Sequence, residues 1–297
     1  MNRPYTPAQR RRAARRRVAH HPRPYTQTHD WRHRTVTRHH RCMNTPDPPL
    51  TYEKSGAPRS FVARQFDRFV EWAQQKIVAG SLVGDHPVFE NAKFPWIAEL
   101  EADWKAIRAE LDAVLDAQTE IPAFHEITPE VRTITTDDQW KTFMFLGYGI
   151  RSEANMQRCP RTTAALKKIP GLRTGMFSIL SPGKRIPRHR GPYNGVLRLH
   201  LGLIVPEPRE RCWIRVDDTL CNWSEGKALV IDDMYPHEVH NDTDGRRVVL
   251  FVDFDRPLRG WVKWLNNLIL ALAPLTPELQ EAKANLDKWE RRHGVKP

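Results

Sequence analysis

Between residues 60 and 79 the apolar positions that recur at helical spacing are Val62, Phe66, Phe69, Val70, Ala73 and Ile77. Between 98 and 117 they are Leu100, Trp104, Ile107, Leu111, Val114 and Leu115. A recurrence of three to four residues gathers each set on one helical face, so both stretches predict amphipathic helices. Residues 81–96 carry Gly84, Pro87 and Pro95 and predict a connecting loop. From about Trp140 the period shortens to two. Strands are predicted over 143–148, 174–180, 196–205, 212–216, 227–232, a short piece at 238–239, and 246–254, with a short helix over 159–168 behind Pro160. Turn signals at 181–183, 206–208 and 243–245 separate short strands, which suits a sandwich or barrel better than a parallel nucleotide-binding sheet. After Pro257, Trp261, Trp264, Leu265, Leu268, Ile269 and Leu272 share one face of a predicted helix over 261–273, and a mostly polar helix follows over 277–292.

Charge divides the chain. It carries +12 over 297 residues, of which 40% are apolar, enough for a core. Residues 1–42 hold twelve arginines against a single acid, Asp30, which leaves +1 for residues 43–297. This tail is expected to be a disordered, solvated extension, with an electrostatic tether to phosphates as its functional alternative and Met43 as an alternative start. A nucleic-acid binder ranks last, because the basic segment offers two tyrosines, one tryptophan and no recognisable fold. The cysteines Cys42, Cys159, Cys212 and Cys221 form no C-x-x-C pair, which argues against zinc ribbons and a disulfide framework and favours a reducing, cytoplasmic setting. No stretch reaches the ~18 apolar residues of a spanning helix. The 261–273 helix, with Arg256, Arg259 and Lys263 at its start, has the aromatic and cationic trim of a segment lying peripherally in lipid headgroups; packing on the barrel or on a second subunit is the alternative.

The chemistry concentrates between Phe177 and Leu258. In strand 196–205, Leu197, Leu199, Leu201 and Leu203 face one way while Arg198, His200 and Gly202 face the other. An arginine and a histidine side by side on an inward face are costly unless they meet an anion. A second strand sets Arg247, Val249, Phe251 and Asp253 on one face, where a guanidinium could fork a carboxylate. His189 is placed in a Pro- and Gly-rich loop and His237 in another, 48 residues on, as if at opposite edges of a small barrel. His200 and His240 compete with them as metal ligands. Trp140 is a weaker candidate for a pocket wall.

Six strings then carry a resemblance: Phe177-Ser-Ile-Leu-Ser-Pro-Gly183, Pro187-Arg-His-Arg-Gly-Pro192, Arg198-Leu-His-Leu-Gly-Leu-Ile204, Trp223-Ser-Glu-Gly-Lys227, Asp232-Asp-Met-Tyr-Pro-His-Glu-Val239 and Arg247-Val-Val-Leu-Phe-Val-Asp253. Over 140–258 the chain resembles the aspartyl/asparaginyl β-hydroxylase family of Fe(II)- and 2-oxoglutarate-dependent dioxygenases, in the branch of bacterial lipid A 2-hydroxylases. The resemblance implies a mainly β fold with flanking helices, a double-stranded β-helix of the jelly-roll, cupin-like kind. It implies that His189 and His237 hold iron, that Ser178, Arg198, His200 and Arg247 bind 2-oxoglutarate, and that O₂ is consumed. The acid of a facial triad is replaced by Gly191, as in the family. Four regions follow: the tail 1–42, a linker and N-terminal helices over 43–135, an oxygenase core over 136–258, and C-terminal helices over 259–297. The expected reaction is hydroxylation of an unactivated C–H, of a lipid A acyl chain or related lipid. Alternatives are aspartyl or asparaginyl side chains of a peptide, a small acid, or a non-catalytic cupin-like binding module.

Overall fold

The structure is a computed structural model that describes residues 61–117 and 120–293. The expectations for the tail 1–42 and for Met43 fall outside the described residues. Eleven strands form two antiparallel sheets: β1 (Val88–Phe89), β2 (Trp140–Gly147), β3 (Ile150–Arg151), β4 (Leu172–Leu180), β5 (Arg185–His189), β6 (Val196–Ile204), β7 (Cys212–Val216), β8 (Thr219–Asn222), β9 (Ala228–Ile231), β10 (His237–Asn241) and β11 (Arg247–Asp255). The larger sheet runs β1-β9-β6-β11-β4-β2-β3 and the smaller β5-β10-β7-β8. From β4 onward the chain passes back and forth between the sheets, with β4, β6, β9 and β11 in one and β5, β7, β8 and β10 in the other. That winding is a double-stranded β-helix.

The eight helices are α1 (Phe61–Gly80), α2 (Ile97–Ala102), α3 (Trp104–Asp116), α4 (Phe124–Ile127), α5 (Glu153–Arg158), α6 (Pro160–Lys167), α7 (Gly260–Leu272) and α8 (Pro277–Arg292). The alternation in β6 separates two cores. Leu197, Leu199, Leu201 and Leu203 join Val248, Leu250, Val252 and Phe254 of β11 against Ile107, Leu111 and Val114 of α3 and Leu166 of α6. Each fully buried leucine contributes about 2 kcal/mol by area, an upper estimate. The opposite face turns into the sandwich with Met176, Leu180, Val249 and Phe251 and meets Ile186, Ile214, Val216 and Val239 of the smaller sheet.

The structure departs from the expected elements in several places, β3, α4 and α5 being unforeseen and β2 beginning at Trp140. The helix expected over 98–117 divides at Asp103, which ends α2 and begins α3. The loop 81–96 contains β1, which pairs with β9 and extends the larger sheet. Strands β5 and β8 were not foreseen, and they lie at the two edges of the smaller sheet. An edge tolerates what a central strand does not, so Pro187 sits in β5 beside an irregularity in its pairing with β10. His189 therefore ends a strand rather than lying in a loop, and His237 begins one.

Candidate active site

The two histidines are not at opposite edges. They are register partners on neighbouring strands of the smaller sheet, with ring centroids 4.1 Å apart. The Nδ1 of His189 lies 2.8 Å from the carbonyl oxygen of Pro187, and that of His237 lies 2.9 Å from the carbonyl oxygen of Tyr235. A carbonyl only accepts, so Nδ1 carries the proton in each ring and Nε2 keeps its lone pair, the tautomer a metal requires. Burial first, then the neighbouring His237, pushes the pKa of His189 down to about 3. Burial takes that of His237 to about 4. Both rings are therefore neutral donors at neutral pH.

The approach to His237 is held by two acids, each with its own arginine. Asp232 pairs with Arg256, whose Nε also donates to the Asn194 carbonyl at 2.7 Å, and Asp233 takes Arg198 Nη1 at 3.0 Å. The Asp233 carbonyl accepts from the Gly191 N–H at 2.7 Å, tying this turn to the residue two beyond His189. A Cβ on Gly191 would lie 2.2 Å from an Asp233 carboxylate oxygen, so any side chain there would push Asp233 off Arg198. Among the described residues no group of three or more histidines, cysteines, aspartates and glutamates converges as a metal site.

Arg198 and Arg247 meet different surroundings. Arg198 is forked by Asp253 at 2.9 and 3.3 Å, bridged to Asp233, and laid over the Phe251 ring at 4.3 Å. Burial alone would lower its pKa, but the two carboxylates hold it above the ordinary arginine value. The guanidinium expected to grip a co-substrate is thus already engaged. Arg247 is only 2% exposed, yet its Nε and Nη1 have no hydrogen-bond partner among the described residues. Burial depresses its pKa to about 10, which leaves it charged.

Around Arg247 the same deficit recurs. Its guanidinium lies 4.6 Å from the Trp223 ring, and Trp223 lies 6.0 Å from His200. Trp223 Nε1 and both His200 ring nitrogens are buried without a partner. Burial, then Arg247 and Arg198, pulls the His200 pKa well down, so this ring is neutral too. Ser178 lies across β4 and β11 from Val249, one inward position from Arg247. Its Oγ accepts from Trp140 Nε1 at 3.0 Å, which leaves the hydroxyl proton to donate elsewhere. Gly202, the third inward residue of β6, gives the Trp223 loop its room: a Cβ there would lie 2.3 Å from the Ser224 carbonyl oxygen.

The structure thus brings His189 and His237 together, places His200 within electrostatic reach of both His237 and Arg247, and sets Ser178 and Arg247 on the inner face of the larger sheet. His240 is elsewhere, stacked on Trp213 at 4.0 Å and bonded to Glu238 at 3.3 Å. The sequence reading missed Trp223, Asp233 and Asp253. All three sit in the matching strings, but Trp223 lies in a loop without periodicity and the acids' partner is distant in sequence.

On a β-helix, the two neutral imidazoles of adjoining strands could hold a metal ion, and the buried donors without partners could hold an anion. Comparison with known proteins narrows the class. The aspartyl/asparaginyl β-hydroxylase family matches residues 101–257. An ornithine lipid ester-linked acyl 2-hydroxylase of Rhizobium tropici is 51% identical over 252 residues, 84% of this chain and 90% of that protein. Human aspartyl/asparaginyl β-hydroxylase is 36% identical over 166 residues, 54% of this chain and 21% of that longer protein. Among solved structures, a Pseudomonas putida prolyl-4-hydroxylase matches 53% of this chain and 88% of its own at 21% identity, with a TM-score of 0.33. The chain belongs to the aspartyl/asparaginyl β-hydroxylase family and is a hydroxylase.

Proposed function

We propose that the protein is an Fe(II)- and 2-oxoglutarate-dependent dioxygenase that hydroxylates an acyl chain of a membrane lipid. The observation that carries this reading is the row of buried donors without partners at Arg247, Trp223 and His200, beside two neutral imidazoles. A cation kept dry and unpaired costs several kcal/mol unless an anion joins it. A dicarboxylic acid supplies one carboxylate for that end of the cavity and a second donor group for a metal at the other.

In this reading the Nε2 atoms of His189 and His237 hold ferrous iron, and the Asp232–Arg256 and Asp233–Arg198 pairs fix the turn that aims His237. Arg247 neutralises the distal carboxylate of 2-oxoglutarate, with Ser178 and Trp223 donating alongside. His200 would line the cavity beside the co-substrate as a neutral ring. Arg198 acts as a positioning residue through its two carboxylates. When bound, the iron and keto acid supply the oxidation that turns C–H and O₂ into C–OH, with succinate and CO₂ as the other products. The hydrophobic walls, Met176, Val249 and Phe251 among them, keep water from that centre.

The lipid substrate is carried by likeness to the Rhizobium tropici enzyme, which extends over most of both chains. Likeness to the human protein covers a fifth of that protein and makes a peptide the competing acceptor. Purified protein supplied with Fe(II), 2-oxoglutarate and O₂ should form succinate faster when ornithine lipid is added, and mass spectrometry should find one added oxygen on an ester-linked acyl chain. Lipid A and an aspartyl peptide serve as parallel acceptors. Turnover on the peptide alone would overturn the lipid reading.

A further inference from the structure

Helices α1 and α7 carry an exposed surface that the hydroxylase site does not use. On α7, Val262, Leu265 and Leu270 are buried while Trp261, Trp264, Leu268 and Leu272 are exposed. At spacings of three, four and four residues these exposed side chains form one stripe beside the buried face. Leu275, 71% exposed, continues it beyond the helix, and Trp264 is 67% exposed. On α1, Phe69 and Trp72 are exposed as well. Trp72 stacks on Trp261 with centroids 6.1 Å apart and meets Phe69 at 5.8 Å, joining the two helices into one apolar patch. So many large exposed side chains in contact mark a surface that something covers.

The charges nearby say what. Arg68 and Lys76 lie four residues to either side of Trp72 on α1, Arg259 precedes α7 and Lys263 follows Trp261 on it, all exposed, and between Arg68 and Lys76 the one acid is Glu71. Two copies of the chain meeting here would bring like charges together. An anionic bilayer accepts both the cations and the tryptophans, whose apolar rings and N–H groups suit the headgroup boundary. Residues 1–42 carry twelve arginines, a charge of the same sign. No helix among the described residues is long and apolar enough to cross a membrane, so contact through these two helices lies along the surface.

These helices also hold the chain that leaves His189. Asn194 Nδ2 donates to the Gln74 carbonyl of α1 at 3.0 Å, and Gln74 Nε2 reaches the Pro192 carbonyl at 3.4 Å. Tyr193 Oη donates to Asn266 Oδ1 of α7 at 2.8 Å, and Asn266 Nδ2 donates to the Gly195 carbonyl at 2.9 Å. We propose that the face of Phe69, Trp72, Trp261, Trp264, Leu268 and Leu272 docks the protein on an anionic lipid bilayer and fixes the segment behind His189 relative to it. This rests on the lipid-hydroxylase reading for its purpose, but the docking itself is independent of turnover.

The test is flotation of the full chain with phosphatidylcholine vesicles, with and without phosphatidylglycerol, at low salt and at salt high enough to screen exposed charge. The variant replaces Trp261, Trp264 and Leu268 by serine, all exposed positions outside the proposed site. Wild type should float with the anionic vesicles and stay partly bound in high salt. The triple variant should lose binding at least ~10-fold in high salt, because the insertion of apolar side chains is what salt spares. Its turnover on lipid dispersed singly in detergent should be unchanged, and its turnover on vesicles should fall in step with binding. Equal flotation of variant and wild type overturns the proposal. So does a wild-type dimer that the variant splits without any change in flotation, which would assign the face to a second copy. Wild type that floats but hydroxylates no lipid leaves the docking face standing and removes the substrate reading. Hydroxylation of dispersed lipid without flotation does the reverse.

Discussion

The two ends of the inner face of the larger sheet each hold an arginine, Arg247 buried and Arg198 half-buried, and they are built on opposite principles. Asp253, which forks Arg198, is six residues along β11 from Arg247, about 20 Å of strand. At the Arg198 end each guanidinium and carboxylate meets an opposite charge, although Asp233 Oδ1 has no hydrogen-bond partner among the described residues, and that end carries the turn before His237. At the Arg247 end the Nε and Nη1 of the cation, both His200 ring nitrogens and Trp223 Nε1 have no hydrogen-bond partner among the described residues. Buried ion pairs hold geometry, while a buried ion without a pair is a place kept for a ligand. The two arginines would look alike in any count of charged residues in strands.

The sharpest test of this contrast is to remove each cation without changing much volume. Arg198→Met strands Asp233 and Asp253 in the interior and is expected to cost about 3–5 kcal/mol in urea unfolding of the apoprotein. His189→Ala or His237→Ala should leave the fold in place but lower metal-dependent succinate formation by more than about a hundredfold. Arg247→Met should behave in the opposite sense to Arg198→Met. It relieves an unpaired charge, so the apoprotein should be as stable as wild type or more stable by about 1–2 kcal/mol, while the 2-oxoglutarate concentration for half-maximal rate rises about 10- to 100-fold.

The smallest effect is that of pH. His189 and His237 have pKa values near 3 and 4, so protons do not compete with metal for Nε2 until well below the usual histidine range. Titration with Mn(II) should give nearly one affinity from about pH 8 down to about pH 5.5, where exposed histidines would already have lost theirs. In the apoprotein the sign for stability follows from the same shift. Below about pH 6.5 the unfolded chain takes up protons that the folded rings refuse, so these two residues are neutral toward folding above that range and oppose it as pH falls.

How much of this was legible in the sequence depended on how one-sided each element is. Strand β6 puts leucine on one face and Arg198, His200 and Gly202 on the other, and its alternation gave both its bounds and its inward residues. The C-terminal helix began at Pro277 as expected, with Thr276 capping it by accepting from the Leu279 N–H. Strands β5 and β8 escaped because edge strands need no apolar face. Arg185-Ile-Pro-Arg-His189 and Thr219-Leu-Cys-Asn222 show no period that a loop would lack. The division of the 98–117 helix at Asp103 left the apolar spacing unbroken, so periodicity carried no sign of it.

In the site, the identities of His189, His237, Ser178, His200 and Arg247 came from matching strings, but their relations could not. That His189 faces His237 is a consequence of β5 lying beside β10. That Arg198 is engaged and Arg247 is not follows from Asp233 and Asp253, each far from Arg198 in sequence and near it only once β6, β9 and β11 are side by side. Trp223 reaches the Arg247 guanidinium from a loop, where no hydropathy pattern applies.

The central claim is read most directly from a crystal of the protein grown with Mn(II) and N-oxalylglycine, a non-reacting mimic of 2-oxoglutarate. The account predicts the metal on Nε2 of His189 and His237, with the far carboxylate of the mimic on Arg247 and the Arg198 bridges to Asp233 and Asp253 intact. A metal bound elsewhere, or a mimic whose far carboxylate displaces Asp253 from Arg198 and leaves Arg247 bare, would contradict it.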